Sequence, residues 1–257
     1  MSTAMLFTML LCFALTVSVA VSIGLSAIVG IQIANANMLI SVKEMFNSLN
    51  KFPLAAIPFF ILAGNLMETG GISRRLVEFA KSIVGGIQGG LPITCVLTCM
   101  IFAAVSGSSV ATTFAIGAIL IPALIKHGYP KPWATALQAT SAELGVIIPP
   151  SIPMILLGVS AELSIGELFV AGVGPGLLIG FALMVFVWLY SKYKGWGKND
   201  GDGRLSVGKA TWQASWALLM PVIVLGGIYG GIFTPTEASA VAVLYSFIVG
   251  TVIYREI

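Results

Sequence analysis

Hydroxyl groups and main-chain carbonyls are the groups of this sequence that could do chemistry, and two short stretches concentrate them. The first is Ser-Gly-Ser-Ser at residues 106–109, inside a run from 82 to 125 that has no charged residue. The second, residues 145–153, contains three prolines within five residues. Neutral oxygen ligands of both kinds suit a hard cation such as sodium. The pattern therefore predicts a cation site.

The serine-rich stretch interrupts a run that is too long for one membrane crossing. The 44 uncharged residues exceed the roughly 20 that a crossing helix needs and barely allow two crossings with a turn. If the chain enters near Pro92 and leaves by Pro122, each arm has about 14 residues and a length of roughly 20 Å, short of the ~30 Å core. We therefore predict a re-entrant helical hairpin over 91–125, with its tip inside the membrane.

The proline-rich stretch must interrupt a helix. Its three prolines remove three backbone donors, and each disfavours the α conformation in the residue before it. Unwound backbone at membrane depth is tolerated only where protein buries it or where it lines a cavity. The carbonyls of residues 145–148 lose their usual donors and become candidate sodium ligands. Two such breaks close together in sequence are typical of the binding site of a secondary transporter.

The hydroxyl groups and two carboxylates near these breaks allow alternatives. The half-helix that starts near Ser109 directs its positive dipole end at the tip, where an anion could bind, but the serines could also simply cap two buried helix ends. Glu143, just before the second break, could carry a proton or cation or could contact a partner in the bundle. Glu237, three residues after Thr234, predicts a capping box that opens the last helix.

Other function classes have weaker support. An intramembrane serine protease needs a general base near its serine, and the one histidine, His127, lies beside Lys126, about half a helix from the tip. The sequence contains no phosphate-binding loop, and Cys12, Cys95 and Cys99 are interpreted as buried, inert thiols. We expect no enzyme activity. A passive channel or a membrane scaffold subunit remains open, and ion dependence of uptake would discriminate between a channel and coupled transport.

The elements that must position these groups are membrane helices. The chain has 257 residues, 58% of them hydrophobic and 9% charged, against about 25% charged residues in soluble domains. We predict an all-α polytopic membrane protein. Its predicted elements are a crossing within 4–30, an interfacial helix over 38–50, a short crossing over 52–67, a surface helix over 72–84, the hairpin, a broken helix over 133–158, a helix over 165–190, a loop over 191–210, and crossings over 211–228 and 235–254.

Charge placement predicts the orientation of these elements. With a re-entrant hairpin, eleven Lys and Arg residues lie on one side of the membrane, and only Lys43 and Lys51 lie on the other. With a single crossing at 91–125, the ratio falls to eight against five. The stronger bias favours the hairpin, with its mouth and the amino terminus in the cytoplasm.

The motifs together identify a family. Residues 52–64, 106–109, 148–153 and 231–238 come in the order and spacing of the large membrane (permease) subunit of the tripartite ATP-independent periplasmic (TRAP) transporters, and the chain resembles roughly the first three fifths of that subunit. The resemblance implies an ion-transporter-like elevator fold with two inverted halves. Residues 1–90 would be scaffold helices, 91–190 the transport-type unit, and 211–257 the first helices of the second half.

The resemblance also implies a function and a site. It implies sodium-coupled uptake of an organic anion (a C4-dicarboxylate, keto acid, or sialic or sugar acid) across the bacterial inner membrane. A small membrane subunit and a periplasmic binding protein would be partners, besides membrane lipid and without nucleic acid. No cofactor is expected other than sodium. The residues carried over as sodium-binding are Ser106, Ser109, Gly145, Ile148 and Pro149. The residues expected to face substrate are Ser108, Thr112 and Ser151. With one hairpin and one broken helix, this chain alone is expected not to transport.

Overall fold

The computed structural model describes residues 2–197 and 205–257, and all regular elements among them are helical. The helices are α1 (Ser2–Ala14), α2 (Val19–Ile33), α3 (Leu39–Leu49), α4 (Ala56–Thr69), α5 (Ile72–Val84), α6 (Gly90–Ser106), α7 (Ser109–Lys126), α8 (Lys131–Ala142), α9 (Leu144–Ile147), α10 (Ile152–Ala161), α11 (Ile165–Lys194), α12 (Val207–Tyr229) and α13 (Pro235–Ile248). A 3-10 turn (Phe52–Ala55) precedes α4, and a π turn (Val249–Ile253) follows α13.

Membrane-length helices confirm the polytopic class. Within the described ranges, six segments are long and apolar enough to cross a membrane. They are Phe52–Thr69, Ser109–Lys126, Lys131–Ala161, Ile165–Lys194, Val207–Tyr229 and Pro235–Ile253. The middle of the predicted loop 191–210, with Lys198 and Arg204 from the charge count, lies outside the described residues.

The first of two compact units extends to Lys51, and its fold corrects the prediction of one crossing within 4–30. The helix ends at Ala14, the chain turns with Thr16 at a φ of 59°, and α2 begins at Val19. The two short helices pack on each other, since a β-carbon at Gly30 would lie 2.6 Å from the sulfur of Met5. Hydropathy does not predict this turn because none of its residues is charged. The helix predicted over 38–50 is present as α3, and its position at the membrane interface stays a prediction.

The second unit, Phe52–Ile257, is built around α6. This helix has no charged residue and is buried along most of its length, with α4, α5, α7, α8, α9, α11 and α12 packed on it. The helix predicted over 72–84 is observed as α5 with the predicted bounds, and its position on the membrane surface stays a prediction. Its apolar residues, including Leu76 and Ala80, are buried, while Arg74 on the opposite face is 61% exposed.

The hairpin predicted over 91–125 is present as α6 and α7. The chain just before α6 and the chain just after α7 both contact Trp196. The Gln88 amide, before α6, donates to the Trp196 carbonyl at 3.2 Å, and the Tyr129 ring, after α7, lies 5.8 Å from the Trp196 ring. The predicted arms of about 14 residues were too short. The observed arms have 17 and 18 residues, since α7 continues through Pro122 to Lys126. At about 27 Å, α7 is long enough to cross, so re-entrance stays a prediction.

Candidate functional site

The hairpin tip consists of the end of α6, a two-residue turn and the start of α7. Gly107 has a φ of 61°, in the left-handed region that only glycine adopts without steric cost. Ser108 Oγ accepts a hydrogen bond from the Ala111 N–H at 3.3 Å and caps α7. The capping role is therefore confirmed for Ser108. Ser109 is the first residue of α7 and is partly exposed.

The second break is shorter than the predicted 145–153. Helix continues to Ile147, the chain is extended at Ile148 and Ser151, and α10 begins at Ile152. Pro153 lies in the first turn of α10, where a proline sacrifices no hydrogen bond, so only two of the three prolines break the helix. Ser151 accepts a hydrogen bond from the Met154 N–H at 3.4 Å and donates one to the Val146 carbonyl.

The tip lies directly on the second break. The Ile152 N–H donates to the Gly107 carbonyl oxygen at 3.1 Å, so the two interrupted helices are joined by a main-chain hydrogen bond. A β-carbon at Gly107 would clash with the Pro150 carbonyl oxygen. At Gly145 a β-carbon would lie 3.1 Å from the backbone of Ser108 and Ser109. The two breaks therefore form one site, and both glycines permit the close approach.

Main-chain oxygens without helical donors are concentrated at this contact. In a continuous helix, the carbonyls of Gly145 and Val146 would accept from the two residues that are Pro149 and Pro150, which have no N–H. The hydroxyl of Ser151 serves Val146 instead. The Ile148 carbonyl loses its helical donor because the Ile152 N–H is directed to the tip. The carbonyls of Gly145 and Ile148 are thus left without their helical donors, the first because residue 149 is proline and the second because the Ile152 N–H bonds the tip.

Ser106 presents a second kind of oxygen. Ser106 and Thr112 are both fully buried, and their hydroxyl oxygens lie 3.3 Å apart. The Thr112 hydroxyl donates to the Ser108 carbonyl at 2.8 Å, and because a hydroxyl has one proton, Ser106 must donate to Thr112. The lone pairs of Ser106 Oγ then remain available. A neutral oxygen of this kind can accept a hydrogen bond or coordinate a hard cation.

The structure brings the two parts of the predicted sodium set together. Ser106 and Ser109 belong to the tip, and Gly145, Ile148 and Pro149 belong to the break on which the tip rests. None of the described residues forms a cluster of three His, Cys, Asp or Glu side chains that could hold a metal. Serine and main-chain oxygens are therefore the candidate ligands here, and their binding of sodium stays a prediction.

The residues predicted to face substrate have different environments. Ser108 is partly exposed, whereas the side chains of Thr112 and Ser151 are fully buried and make internal hydrogen bonds. The surface of this structure does not present these two hydroxyls. Their contact with a substrate stays a prediction.

Glu143 is exposed and separates α8 from α9. Within the described ranges its carboxylate has no ion-pair or hydrogen-bond partner, so the proposed contact inside the bundle has no support here. Glu237 behaves as predicted. Its side chain accepts from the Thr234 N–H at 2.8 Å, and the Thr234 hydroxyl accepts from the Glu237 N–H at 3.3 Å, which completes the capping box.

The sequence interpretation missed Gln138, whose amide contacts both arms of the hairpin. Gln138 is 1% exposed. Its Oε1 accepts from the Cys95 thiol of α6 at 3.1 Å, and its Nε2 donates to the Thr112 carbonyl of α7 at 3.2 Å. The available signal was a polar amide within the apolar, membrane-length segment Lys131–Ala161, where such a group is costly unless it is partnered.

The protease alternative has no geometric support. His127 caps the far end of α7, an 18-residue helix away from the tip serines, which corresponds to about 27 Å. One of its ring nitrogens lies 2.9 Å from the Ala123 carbonyl oxygen. The prediction placed the histidine half a helix away, and the observed separation is a whole helix. Direct proton transfer from a tip serine to this imidazole is excluded by distance.

Comparisons with known proteins agree with the family identified from the motifs. A family described as "Tripartite ATP-independent periplasmic transporter, DctM component" matches residues 6–257. The chain is 47% identical over 243 residues to an isethionate TRAP transporter permease protein of Oleidesulfovibrio alaskensis, covering 94% of this chain and 38% of that protein. It is 44% identical over 259 residues to a C4-dicarboxylate TRAP transporter large permease protein of Vibrio cholerae, covering 100% of this chain and 57% of that protein.

A third relative differs in the compound that its name gives. An ectoine TRAP transporter large permease protein of Halomonas elongata is 38% identical over 224 residues, covering 84% of this chain and 51% of that protein. This chain therefore spans about half of the length of the relatives that it matches.

Proposed function

This chain belongs to the family of the DctM component of tripartite ATP-independent periplasmic transporters, and from this premise we propose that it forms the sodium-binding half of the permease of such a transporter. The complete protein would couple the entry of sodium to the uptake of an organic anion across the bacterial inner membrane. The relatives include proteins named for C4-dicarboxylate, sialic acid and 2,3-diketo-L-gulonate, which supports an organic acid as the substrate class.

One observation carries the proposal. The hairpin tip and the proline break are joined by the bond from the Ile152 N–H to the Gly107 carbonyl, beside a buried Ser106 hydroxyl with available lone pairs. Interrupted helices whose carbonyls and half-helix ends converge are the ion and substrate sites of secondary transporters. A site of neutral oxygens suits sodium better than a transition metal, which prefers nitrogen or sulfur ligands.

The proposed partners are a small membrane subunit and a soluble periplasmic binding protein. The tip offers only hydroxyl and main-chain oxygens, which are common to many transporters, so we propose that the binding protein selects the substrate. We further propose that the hairpin mouth and the amino terminus face the cytoplasm, that the substrate is moved by an elevator motion, and that the chain has no enzyme activity. A passive channel is the second candidate, and it would need no ion gradient.

Uptake by the complete transporter tests the proposal. The full-length permease, its small subunit and its binding protein are reconstituted in liposomes, and uptake of a radiolabelled organic acid is measured with a sodium, potassium or proton gradient. The expected result is accumulation above equilibrium with a sodium gradient alone. Uptake that only equilibrates the substrate, whatever the ion, would establish the channel alternative.

Two variants test the residue assignment. Ser106→Ala and Ser109→Ala each remove one proposed ligand, and a contact to a charged group contributes about 1.5–3 kcal/mol. The sodium concentration for half-maximal uptake should therefore rise roughly ten- to 150-fold, with the maximal rate reached at saturating sodium. Ser160→Ala is a matched control, because Ser160 is exposed and, among the residues that the structure describes, donates only to the carbonyl of Leu156 in its own helix. Unchanged sodium dependence in both tip variants would refute the assignment.

A further inference from the structure

A buried amide lies between the two arms of the hairpin and the helix that leads to the proline break. Gln138, on α8, is 1% exposed, and its side chain packs against Gly117 of α7, where a β-carbon would lie 3.2 Å from Gln138 Cγ. A small residue at such a position lets two membrane helices approach closely. The amide is therefore enclosed at the contact of α7 with α8.

The amide fixes the two arms relative to each other. The Cys95 thiol of α6 donates to Gln138 Oε1 at 3.1 Å, and Gln138 Nε2 donates to the Thr112 carbonyl of α7 at 3.2 Å and lies 3.7 Å from Cys99 Sγ. One helix donates to the amide oxygen, and the amide nitrogen donates to another helix. Rotation of the amide group would therefore break both hydrogen bonds. The axial position of α7 relative to α6 is thereby set.

Thr112 connects Gln138 to the hairpin tip through hydrogen bonds. Its carbonyl is the acceptor for Gln138, and its hydroxyl bonds the Ser108 carbonyl at 2.8 Å and the Ser106 hydroxyl at 3.3 Å. A shift of α7 along its axis would therefore move the acceptor to which Ser106 donates, and with it the lone pairs of Ser106 Oγ. The connection runs from Gln138 through Thr112 to Ser106.

We propose that Gln138 is a positioning residue for sodium binding, which holds α7 in the register that directs the Ser106 oxygen at the ion. This inference rests on the proposed function for its ion. Among the described residues, the hydrogen bonds of Gln138 reach Cys95, Cys99 and Thr112 and none of the tip serines or break carbonyls. It acts through Thr112, so its removal should weaken sodium binding while leaving the ligands in place.

The central helix α6 offers a matched control. Thr98 of α6 is also fully buried, but within the described part of the chain its hydroxyl has no hydrogen-bond partner. Thr98→Val removes a buried polar group from α6 and nearly conserves its volume. Gln138→Met likewise keeps the length of the side chain and removes the amide. The two variants differ in whether the link to Thr112 is lost.

The test uses the complete transporter and two measurements. The first is the sodium concentration for half-maximal uptake, which Gln138→Met should raise about tenfold, the scale of one lost buried hydrogen bond, with the maximal rate little changed. The second is hydrogen exchange of the backbone amides of 108–113, which Gln138→Met should accelerate several-fold. Thr98→Val should change neither. If Gln138→Met lowers the yield of folded transporter, Gln138→Asn withdraws the amide by one methylene group and provides the same comparison.

A double variant tests the connection itself. Thr112→Val removes the hydroxyl that Ser106 uses, so adding Gln138→Met to it should raise the sodium requirement little further, whereas independent effects would multiply. Multiplied effects, or equal effects of Gln138→Met and Thr98→Val, would overturn the positioning role. Uptake by the unmodified transporter that does not depend on sodium would refute the proposed function instead, and the exchange measurement would still decide whether Gln138 holds the tip.

Discussion

Gly145→Ala should displace the hairpin tip from the proline break by a few tenths of an ångström. The added methyl group would lie 3.1 Å from three backbone atoms, the carbonyl carbon and oxygen of Ser108 and the nitrogen of Ser109. Backbone atoms cannot move away by changing a rotamer, so either the tip or α9 must shift. The perturbation falls on the contact that joins the two halves of the proposed site and changes none of the proposed sodium oxygens.

The expected magnitude follows from this geometry. Inserting one methyl group into a closely packed contact typically costs 1–3 kcal/mol. If the full cost falls on the form in which the tip rests on the break, the sodium concentration for half-maximal uptake rises about 5- to 150-fold. Gly174→Ala is the matched control, since Gly174 also lies in a helix and a β-carbon there meets nothing within 4 Å. That substitution should be neutral or stabilise by about 0.5–1 kcal/mol, the usual gain of alanine in a helix.

The assay is sodium-dependent uptake by the reconstituted full-length transporter, together with thermal unfolding in the presence and absence of sodium. Gly145→Ala should lose most of the stabilisation that sodium provides, because that stabilisation depends on affinity, and Gly174→Ala should retain it. Equal sodium dependence of the two variants would refute the close packing of tip on break as the basis of the site.

Three further predictions concern the tip, the topology and a cap outside the site. Gly107→Ala should weaken sodium binding more than Gly145→Ala does. It forces an alanine into a left-handed backbone conformation, which costs about 1–2 kcal/mol, in addition to the clash with Pro150. An equal or smaller effect would contradict this. Single cysteines near Arg74 and near Lys131, without native cysteines, should react with impermeant thiol reagents only from the cytoplasm, and labelling from opposite sides would exclude a re-entrant hairpin. Thr234→Ala should lower the stability of the protein by about 1 kcal/mol without changing the sodium requirement, as unfolding and uptake measurements would show.

The elements that were predicted best from the sequence are those whose own residues specify their structure. Arg74 and Glu78 lie on one face of α5 and Leu76 and Ala80 on the other, and glycines stand at both ends, so its bounds Ile72–Val84 follow from periodicity. The box of Thr234 and Glu237 is likewise local. The two breaks were visible because glycine and proline change backbone conformation whatever the tertiary structure.

Other features depend on tertiary contacts. The turn after Ala14 contains no proline or glycine, and hydropathy treats its residues as continuous membrane helix. Pro122 was taken as a helix end, but a membrane helix tolerates a proline where neighbouring groups satisfy the freed carbonyl. Gln138 was overlooked because the role proposed for it depends on hydrogen bonds to two other helices. A polar amide in a membrane-length helix signals a partnered residue, but its partners Cys95 and Thr112 lie on other helices, and nothing local in the sequence identifies them.

Sodium-dependent hydrogen exchange at the site tests the central claim most directly, because it measures binding at the tip and the break without requiring a substrate. The complete transporter is exchanged in sodium, potassium or choline chloride at equal ionic strength, and peptides covering 106–112 and 145–152 are compared with one covering α12. We predict that sodium alone slows exchange in the tip and break peptides, that α12 is unaffected, and that Ser106→Ala abolishes the difference. Equal exchange of the tip and break peptides in all three salts would contradict a sodium site between the hairpin tip and the proline break.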